Sequence, residues 1–380
     1  MLPITAASRA IECLFEGDPM NPSIQQNASE PRRKFRVIRL LSWAALGWVT
    51  AFLLLLFGVS ERWWLGAVAT YSPRIAVLAP SLVLLPIALF LDRRSAYLNG
   101  VAIFMVAVFA MEFHLPKPFR SSAEGSKVGG FSLRIVSGNV DSFGPDFERF
   151  LNEIKGTEPD LIALQEAPAG RAPLALKDAY SDWQIVTSTE FWVASRFPAQ
   201  ILDRCHTTDF NRDAAVAVEI DTPAGTMVLV DVHTQTARFG IYELQPAKVF
   251  SREGSKAIAK MEDIQARRHS ELAAVREFVD RISRERATIV AGDFNTPESS
   301  SAFPEFSGGF TNAFTASGWG YGHTAPCDRT GPLPAGHPWI RVDHILVNRS
   351  WDIVSCRTGT GNGSDHRLVM AEVRLKEPAR

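Results

Sequence analysis

The distribution of apolar residues divides the chain into two parts. Three uncharged apolar runs follow one another near the start of the chain, at Leu40–Val59, Ile75–Leu91 and Ser95–Met111. The first run has 20 residues, which is enough at about 1.5 Å per residue to cross a hydrocarbon core about 30 Å thick. The other two have 17 residues each, at the short limit for a span. We predict a bundle of about three transmembrane helices, with two crossings as the alternative.

The placement of Lys and Arg predicts the orientation of this bundle. Five basic residues precede the first run, at Arg32, Arg33, Lys34, Arg36 and Arg39. Arg93 and Arg94 lie between the second and third runs, whereas the link between the first two carries Arg62 and Arg74 beside Glu61. Cytoplasmic loops carry the excess of basic residues, so residues 1–39 form a cytoplasmic lead and three crossings place everything after residue 111 outside. Because 39 mixed residues precede the first run, a cleaved signal peptide is not expected.

A different pattern begins after the membrane part, residues 40–113. Residues 114–130 are rich in Pro, Ser and Gly and predict a linker. Short apolar runs then alternate with turn signals, which predicts one α/β domain over residues 131–377 built on β-sheet layers. The predicted strands are Leu133–Val136, Leu161–Leu164, Trp192–Ala194, Ala215–Ile220, Met227–Val232, Thr288–Ala291, Val342–Val347 and Leu368–Leu375, with helices at Phe147–Ile154 and Asp263–Ser283.

Composition narrows the class of this domain. With 46% hydrophobic and 21% charged residues the chain is not a long disordered one. Residues 121–380 carry a net charge of −6, which argues against a domain that binds long nucleic acid mainly through the phosphates. The four cysteines lack CxxC spacing, so neither a structural zinc site nor a disulfide scaffold is expected, although two of Cys205, Cys327 and Cys356 could pair in an oxidising compartment.

Polar side chains recur at the ends of the predicted strands. These residues are Asn139, Glu166, His233, Asp293, Asn295, Asp343, Asp365 and His366. Each is ambiguous alone: an acid after a strand is often solvated, Asn139 could sit in a turn, and Asp365 could be a capping residue. Their joint occurrence in one domain favours a site. Carboxylates with amides and imidazoles suit Mg²⁺, or Mn²⁺, better than zinc.

The motifs SGNV, ALQE, VHT, GDFN, RVDHILV and SDHRLV occur in this order. In this the chain resembles the endonuclease/exonuclease/phosphatase superfamily, which has the deoxyribonuclease-I-like fold, over roughly Phe131–Leu375. The resemblance implies a four-layer α/β sandwich, two packed mixed β-sheets flanked by helices. The upstream anchor is similar to that of bacterial members, which implies a multi-pass protein of the bacterial inner (cell) membrane with an extracytoplasmic catalytic domain.

The resemblance also implies a metal group. Glu166 matches the metal-binding glutamate of the family, and Asn139 matches an amide that helps orient the metal site. Asp365 would complete the network of metal and water. The implied cofactor is Mg²⁺, with Mn²⁺ as a possible substitute.

The remaining residues receive catalytic roles from the same resemblance. Asp293 would position or deprotonate the attacking water, and Asn295 would hold a phosphate oxygen. His366, paired with Asp343, would contact the phosphate or act as acid or base, and His233 would stabilise the transition state or assist the leaving group. Asn295, His233 and His366 are thus also the substrate-binding residues.

One departure from the family pattern concerns the carboxylate that partners the second histidine. It has no clear match here, because Glu190 is nearby in sequence but offset. The protonation state and role of His233 are left open by the sequence.

The implied activity is metal-dependent hydrolysis of a phosphate ester, by a phosphodiesterase or phosphatase. The substrate could be a lipid, a small molecule or a nucleic acid, and tethering to a lipid bilayer makes a phospholipid attractive. Alternatives are an extracytoplasmic nuclease acting on DNA or RNA, or a non-catalytic binding module on the same scaffold. No protein partner can be inferred.

Overall fold

The computed structural model describes residues 22–116, 130–244, 249–327, 335–361 and 363–376, with side chains from residue 35 onward. Most of the predicted linker, residues 117–129, lies outside the described residues, as does most of the polar lead. The chain forms two compact units. One comprises residues 1–50 and 77–104, and the other comprises residues 51–76 and 105–380.

The first unit is helical. It contains most of the helix Pro22–Leu54, the helix Ala79–Leu91 and most of the helix Arg93–Met105. Two polar contacts join these helices: Arg39 donates to the Asp92 carboxylate at 3.1 Å, and Asn99 donates to the Ser42 hydroxyl at 2.8 Å.

Two helices in the described part of the chain are long and apolar enough to cross a bilayer, Phe35–Arg62 and Arg74–Leu91. They contain the first two predicted spans. The third predicted span falls in the helix Arg93–Met105 and the following π-helical turn Val106–Ala110. These are not among the helices that are long and apolar enough to cross a bilayer. The three-helix bundle therefore remains a prediction.

The second unit is built on two six-stranded sheets. Its strands are β1 (Ser132–Asn139), β2 (Leu161–Gln165), β3 (Gln184–Ser188), β4 (Phe191–Ser195), β5 (Ala199–Thr207), β6 (Arg212–Thr222), β7 (Gly225–His233), β8 (Ala287–Asp293), β9 (Thr311–Asn312), β10 (Asp343–Val347), β11 (Trp351–Thr358) and β12 (Val369–Leu375). The orders are β11-β12-β1-β2-β4-β3 and β5-β6-β7-β8-β10-β9. Both sheets are mixed, since β1 pairs with β2 and β7 with β8 in parallel, whereas their other pairings are antiparallel.

Apolar side chains from both sheets form one core between them. Leu133 and Ile135 from the first sheet belong to the same buried cluster as Val216, Leu229 and Ile289 from the second. Alternation along each strand sends the neighbouring side chains to the outer faces. The apolar side chains on these outer faces must be buried by other elements of the structure.

Helices pack against the outer face of each sheet. Phe150 and Ile154 of the helix Phe147–Gly156 pack on the outer face of the first sheet, and Val275 and Val279 of the helix Gly254–Ile282 on that of the second. The other helices of this unit are Trp64–Tyr71, Leu174–Ala179, Arg238–Glu243, Phe303–Ser307 and Ala313–Ser317 among the described residues. The order helix, sheet, sheet, helix confirms the predicted sandwich.

All eight predicted strands are present, and the second predicted helix begins nine residues earlier, at Gly254. Cys205, Cys327 and Cys356 are buried and free, so no disulfide joins them.

Residues 60–74, which the apolar pattern groups with the membrane part, contact the sandwich within the second unit. Ser300 donates to the Glu61 carboxylate at 2.7 Å, and Arg268 donates to the Tyr71 hydroxyl at 3.0 Å. Arg74 donates to the Ser299 hydroxyl. This segment is therefore fixed to the domain by buried polar contacts.

Candidate active site

Strand register brings the predicted residues to one end of the second sheet. His233 at the end of β7 is paired with Asp293 at the end of β8, and Asp343 at the start of the antiparallel β10 is paired with the same Asp293. Three strands therefore converge on one carboxylate. In the first sheet, Asn139 at the end of β1 lies beside Gln165 at the end of β2.

The close approach of these strands depends on Gly292. Its φ of +141° lies outside the range that other residues adopt readily. A Cβ atom here would lie 1.9 Å from the Val232 carbonyl oxygen on β7. Glycine thus lets β7 and β8 meet where His233 and Asp293 end their strands.

Asp293 lies at the centre of the site and is fully buried. Its Oδ1 accepts the Asn295 backbone N–H at 2.8 Å, and its Oδ2 accepts the side-chain amides of Asn295 at 3.1 Å and Asn139 at 3.2 Å. Burial, opposed by His366 and reinforced by Asp343, raises the pKa of the Asp293 carboxyl. The amides fix the orientation of a carboxylate that holds its proton more readily than usual.

His366 and Asp343 form a buried pair. The Nδ1 atom of His366 lies 2.9 Å from Asp343 Oδ2, and its Nε2 atom lies 3.7 Å from Asp293 Oδ2. Burial disfavours the imidazolium, but the carboxylates of Asp343, Asp293 and Asp365 outweigh it and hold the pKa of His366 well above its usual value. This shift favours the protonated ring of His366, with Nδ1–H donated to Asp343.

His233 approaches Asp293 from another direction and has its own carboxylate partner. Its Nε2 atom lies 3.9 Å from Asp293 Oδ2, and its Nδ1 atom lies 3.1 Å from Glu190 Oε1. Burial lowers the pKa of His233, but the Glu190 carboxylate more than offsets this and the net direction is upward. The partner that the sequence left open is Glu190.

Arg212 completes this second pair. Its Nη2 atom donates to Glu190 and, at 2.9 Å, to the His233 backbone oxygen. The same Nη2 lies 2.8 Å from His233 Nδ1, where an acceptor would be needed. The Glu190 carboxylate, which raises the pKa of His233, favours an Nδ1–H that is donated to Glu190, and Arg212 is then a neighbouring cation. Nothing in the sequence motifs marks Arg212.

Glu166 and Asn139 lie beside His233 and Asp293, with Glu166 Oε1 3.6 Å from His233 Nε2. The Asn139 amide nitrogen donates to Glu166 Oε1 at 2.9 Å, and its oxygen accepts the Asp141 backbone N–H at 3.0 Å. Asn139 therefore orients Glu166 and Asp293, with its own oxygen occupied. Glu166 has a φ of +49° and Asn295 of +46°, the left-handed region, which is unfavourable for a glutamate and typical of functional sites.

Asp365 closes the site near His366 and brings a further residue with it. Its Oδ1 lies 4.0 Å from His366 Nε2, and its Oδ2 lies 3.5 Å from Arg238 Nη2. Arg238 begins a short helix outside all the motifs, so the sequence offered no sign of it. Cationic Arg238 gives the cavity a group that can bind an anion.

A cavity of about 400 Å³ joins these groups. Glu166, Asp365, Asp293, His233 and His366 all line it, together with Arg212, Arg238 and Asn295. Of the eight predicted residues, Asn139 and Asp343 do not line this cavity. Each is hydrogen-bonded to a residue that does, Asn139 to Glu166 and Asp343 to His366.

The oxygen donors fit a divalent cation. Asp293, Asp343 and His366 are buried with ligand atoms within 4.8 Å of one another, a group that could bind a metal if the His366 ring were neutral. Asp343 Oδ1 is buried without a hydrogen-bond partner among the described residues. The cavity adds the carboxylates of Glu166 and Asp365. Such an oxygen-rich set suits a hard cation.

Comparisons with solved structures found relatives of low identity. A protein described as an endonuclease/exonuclease/phosphatase family member from Bacteroides thetaiotaomicron is 15% identical, with 66% of this chain and 100% of that chain covered and a TM-score of 0.46. The TDP2 of C. elegans is 16% identical, covering 76% and 83%, with a TM-score of 0.48. The TDP2 of D. rerio, complexed with single-strand DNA product, is 15% identical, covering 64% and 99%, with a TM-score of 0.47.

The comparison with curated proteins found no match. A family profile gives the decisive similarity: that of the Endonuclease/Exonuclease/phosphatase family matches residues 136–366, well over half of the chain. The matched residues begin in β1 and end at His366, so they include every candidate site residue above. The chain belongs to the endonuclease/exonuclease/phosphatase family.

Proposed function

We propose that this protein is a membrane-anchored, divalent-metal-dependent hydrolase of phosphate esters that acts by in-line attack of water. Family members are generally phosphoester hydrolases. One observation carries the proposal for this chain: two imidazole Nε2 atoms face the same oxygen of Asp293, each with a carboxylate behind its Nδ1. A base flanked by two cations suits attack on a phosphorus whose oxygens gain charge.

Asp293 is the residue that aligns and deprotonates the water. Its raised pKa brings it closer to the range in which a carboxylate is an effective base. Hydrogen bonds from Asn139 and Asn295 hold it in one orientation, so no reorganisation is needed at the moment of attack. His366 and His233 then stabilise the charge on the phosphate oxygens through Nε2–H.

The metal belongs beside these residues, and Glu166 and Asp365 are the ligands we propose, with Asn139 orienting Glu166. Mg²⁺ or Mn²⁺ in this position would neutralise phosphate charge and act as a Lewis acid. Arg238 and Asn295 line the same cavity. Arg238 would bind a phosphate oxygen directly, whereas Asn295 would do so by releasing one of the two amide hydrogens that it donates to Thr234 and Asp293.

The test is turnover of bis-p-nitrophenyl phosphate and p-nitrophenyl phosphate by the full chain, with plasmid DNA and phospholipid vesicles as further substrates. Activity should vanish in excess chelator and return with Mg²⁺ or Mn²⁺. Glu166→Gln should raise the metal concentration needed for half-maximal activity by tenfold or more, because an amide binds these ions less well. The matched control is Glu158→Gln, because Glu158 is exposed and its carboxylate pairs with Arg134. Full turnover in chelator would overturn the metal assignment.

We further propose that the domain lies outside the membrane on the side opposite the N-terminus. Residues 60–74 contact the domain, so both lie on one side of any bilayer. If Arg74–Leu91 crosses away from that side, the chain must cross back before the domain begins, which the segment Arg93–Ala110 would do. This supports three crossings. A reporter fused after Arg380 should work only if export is required, and cytoplasmic reporter activity would refute the topology.

A further inference from the structure

A second cavity adjoins the catalytic one. Its volume is about 270 Å³, and it shares four lining residues with the site: Thr236, Arg238, Asn295 and His366. A substrate whose phosphate lies between Arg238 and His366 therefore has two directions in which its remainder can extend. One is the polar cavity already described, and the other is this second cavity.

The walls of the second cavity differ in chemistry from those of the first. Away from the shared residues they are mainly aromatic and aliphatic. They include Tyr71, Ile241, Tyr242, Trp339, Ile340 and Val342. The first cavity is instead lined by carboxylates, imidazoles and guanidinium groups. Apolar walls beside a charged centre favour a ligand with one charged end and one apolar end.

One wall comes from the segment that precedes a candidate membrane span. Tyr71, Ser72 and Pro73 line the cavity, and Arg74 begins the apolar helix Arg74–Leu91. The helix Trp64–Tyr71 ends here because Pro73 cannot continue it, and the Ser72 N–H closes its last turn on Val68. The cavity is therefore lined by the three residues that directly precede a candidate membrane span in the chain.

Arg268 ties this wall to the catalytic centre. Its guanidinium lies 5.2 Å from the centre of the Tyr71 ring and donates to the Tyr71 hydroxyl at 3.0 Å. Another of its nitrogens donates to the Asn295 backbone oxygen at 2.7 Å. Trp339 donates its indole N–H to the Tyr71 backbone oxygen at 3.1 Å. Arg268 on one side and Trp339 on the other therefore hold this wall in place against the domain.

We propose that this cavity binds the apolar chain of a lipid phosphoester whose phosphate is hydrolysed at the adjoining site. The inference rests on the proposed function and names its substrate class. At about 30 Å³ per water-sized group, 270 Å³ holds roughly nine such groups, enough for the first eight to ten carbons of a chain. Burying each methylene should strengthen binding by up to about fourfold.

The test measures binding of methyl-, butyl- and octylphosphonate to the Mg²⁺-loaded full chain in amphipol, by isothermal titration calorimetry. We expect octylphosphonate to bind at least ~30-fold more tightly than methylphosphonate. Ser72→Trp, which fills the cavity, should reduce this ratio to a few-fold. Tyr242→Ser, at a half-exposed wall position, should reduce it in part and serves if the first variant does not fold.

Ala224→Trp is the matched control, since Ala224 lies in the exposed turn before β7, at the opposite end of that strand from His233. It adds the same apolar surface and should keep the wild-type ratio. Equal affinity for the three phosphonates, with bis-p-nitrophenyl phosphate still hydrolysed, would overturn the lipid-chain inference alone. So would an equal ratio in Ser72→Trp and Ala224→Trp. Absence of both methylphosphonate binding and hydrolysis would overturn the proposed function itself.

Discussion

The chain contains two Asp-His dipeptides that end up in opposite surroundings. In Asp365-His366 both side chains line the proposed catalytic cavity. In Asp343-His344 only the aspartate serves the site, because consecutive residues of β10 point to opposite faces of the sheet. His344 therefore lies among Phe294 and Phe303, with ring centres 5.5 Å and 4.6 Å away.

The two histidines are equally buried but hold protons differently. Carboxylates around His366 raise its pKa well above the usual value. Burial, reinforced by the Arg341 cation, lowers the pKa of His344 to about 4. The neutral ring of His344 is fully used, since Nδ1 accepts from Asn312 and Nε2 donates to the Thr296 oxygen, both at 3.0 Å. Burial alone thus does not decide the charge of a histidine; the neighbouring charges do.

Replacing each of the two histidines by asparagine should produce the largest contrast. Asparagine at position 366 can still donate to Asp343, so folding should be retained while charge and proton transfer are lost. We expect His366→Asn to reduce turnover about 10²–10⁴-fold with a melting temperature near that of the wild type. His344→Asn should instead lower stability by about 1–3 kcal/mol and leave turnover near wild type below its melting temperature. Equal losses of turnover in the two variants would contradict the assignment.

The pH dependence of stability should separate the same two residues. His344 is neutral in the folded state, so its contribution to stability falls as pH drops from about 6.5, the pKa in the unfolded chain, to about 4. His366 has a raised pKa, so its contribution is complete below about 6.5 and is lost only as pH rises through the folded value.

Between pH 7 and pH 5, wild type should therefore lose ~2 kcal/mol more stability than His344→Asn. The difference is measured by calorimetric melting of both proteins at the two pH values. His323, whose pKa is also lowered to about 4 by burial, is common to both and cancels. Parallel pH curves would show that His344 is protonated or exposed in the folded protein.

Most strands of the domain could be predicted from the sequence, because they are short apolar runs that are buried on both faces, as in β2 and β4. The four edge strands β3, β5, β9 and β11, most of whose residues are exposed or half-buried, carry no such signal and were missed. Side chains that end core strands, such as Asp293, could be predicted for the same reason. Glu190 could not, because it lies in the turn that joins β3 to β4 and reaches His233 only through the packing of two sheets.

The pair formed by His233 and Glu190 should matter less than the pair formed by His366 and Asp343. Asp343 is fully buried and its histidine has no cation among its main charged neighbours, whereas Glu190 is 29% exposed and shared with Arg212.

Asp343→Asn should therefore reduce turnover by about 10²-fold and Glu190→Gln by about tenfold. Without the Glu190 charge, Arg212 acts unopposed and the pKa of His233 should fall, so the loss in Glu190→Gln should grow with pH. Glu158→Gln, at an exposed ion pair remote from the site, should leave turnover unchanged at every pH. The measurement is kcat for the three variants across pH 6 to 9 at saturating metal. A larger loss in Glu190→Gln than in Asp343→Asn would reverse the ranking and make His233 the principal catalytic imidazole.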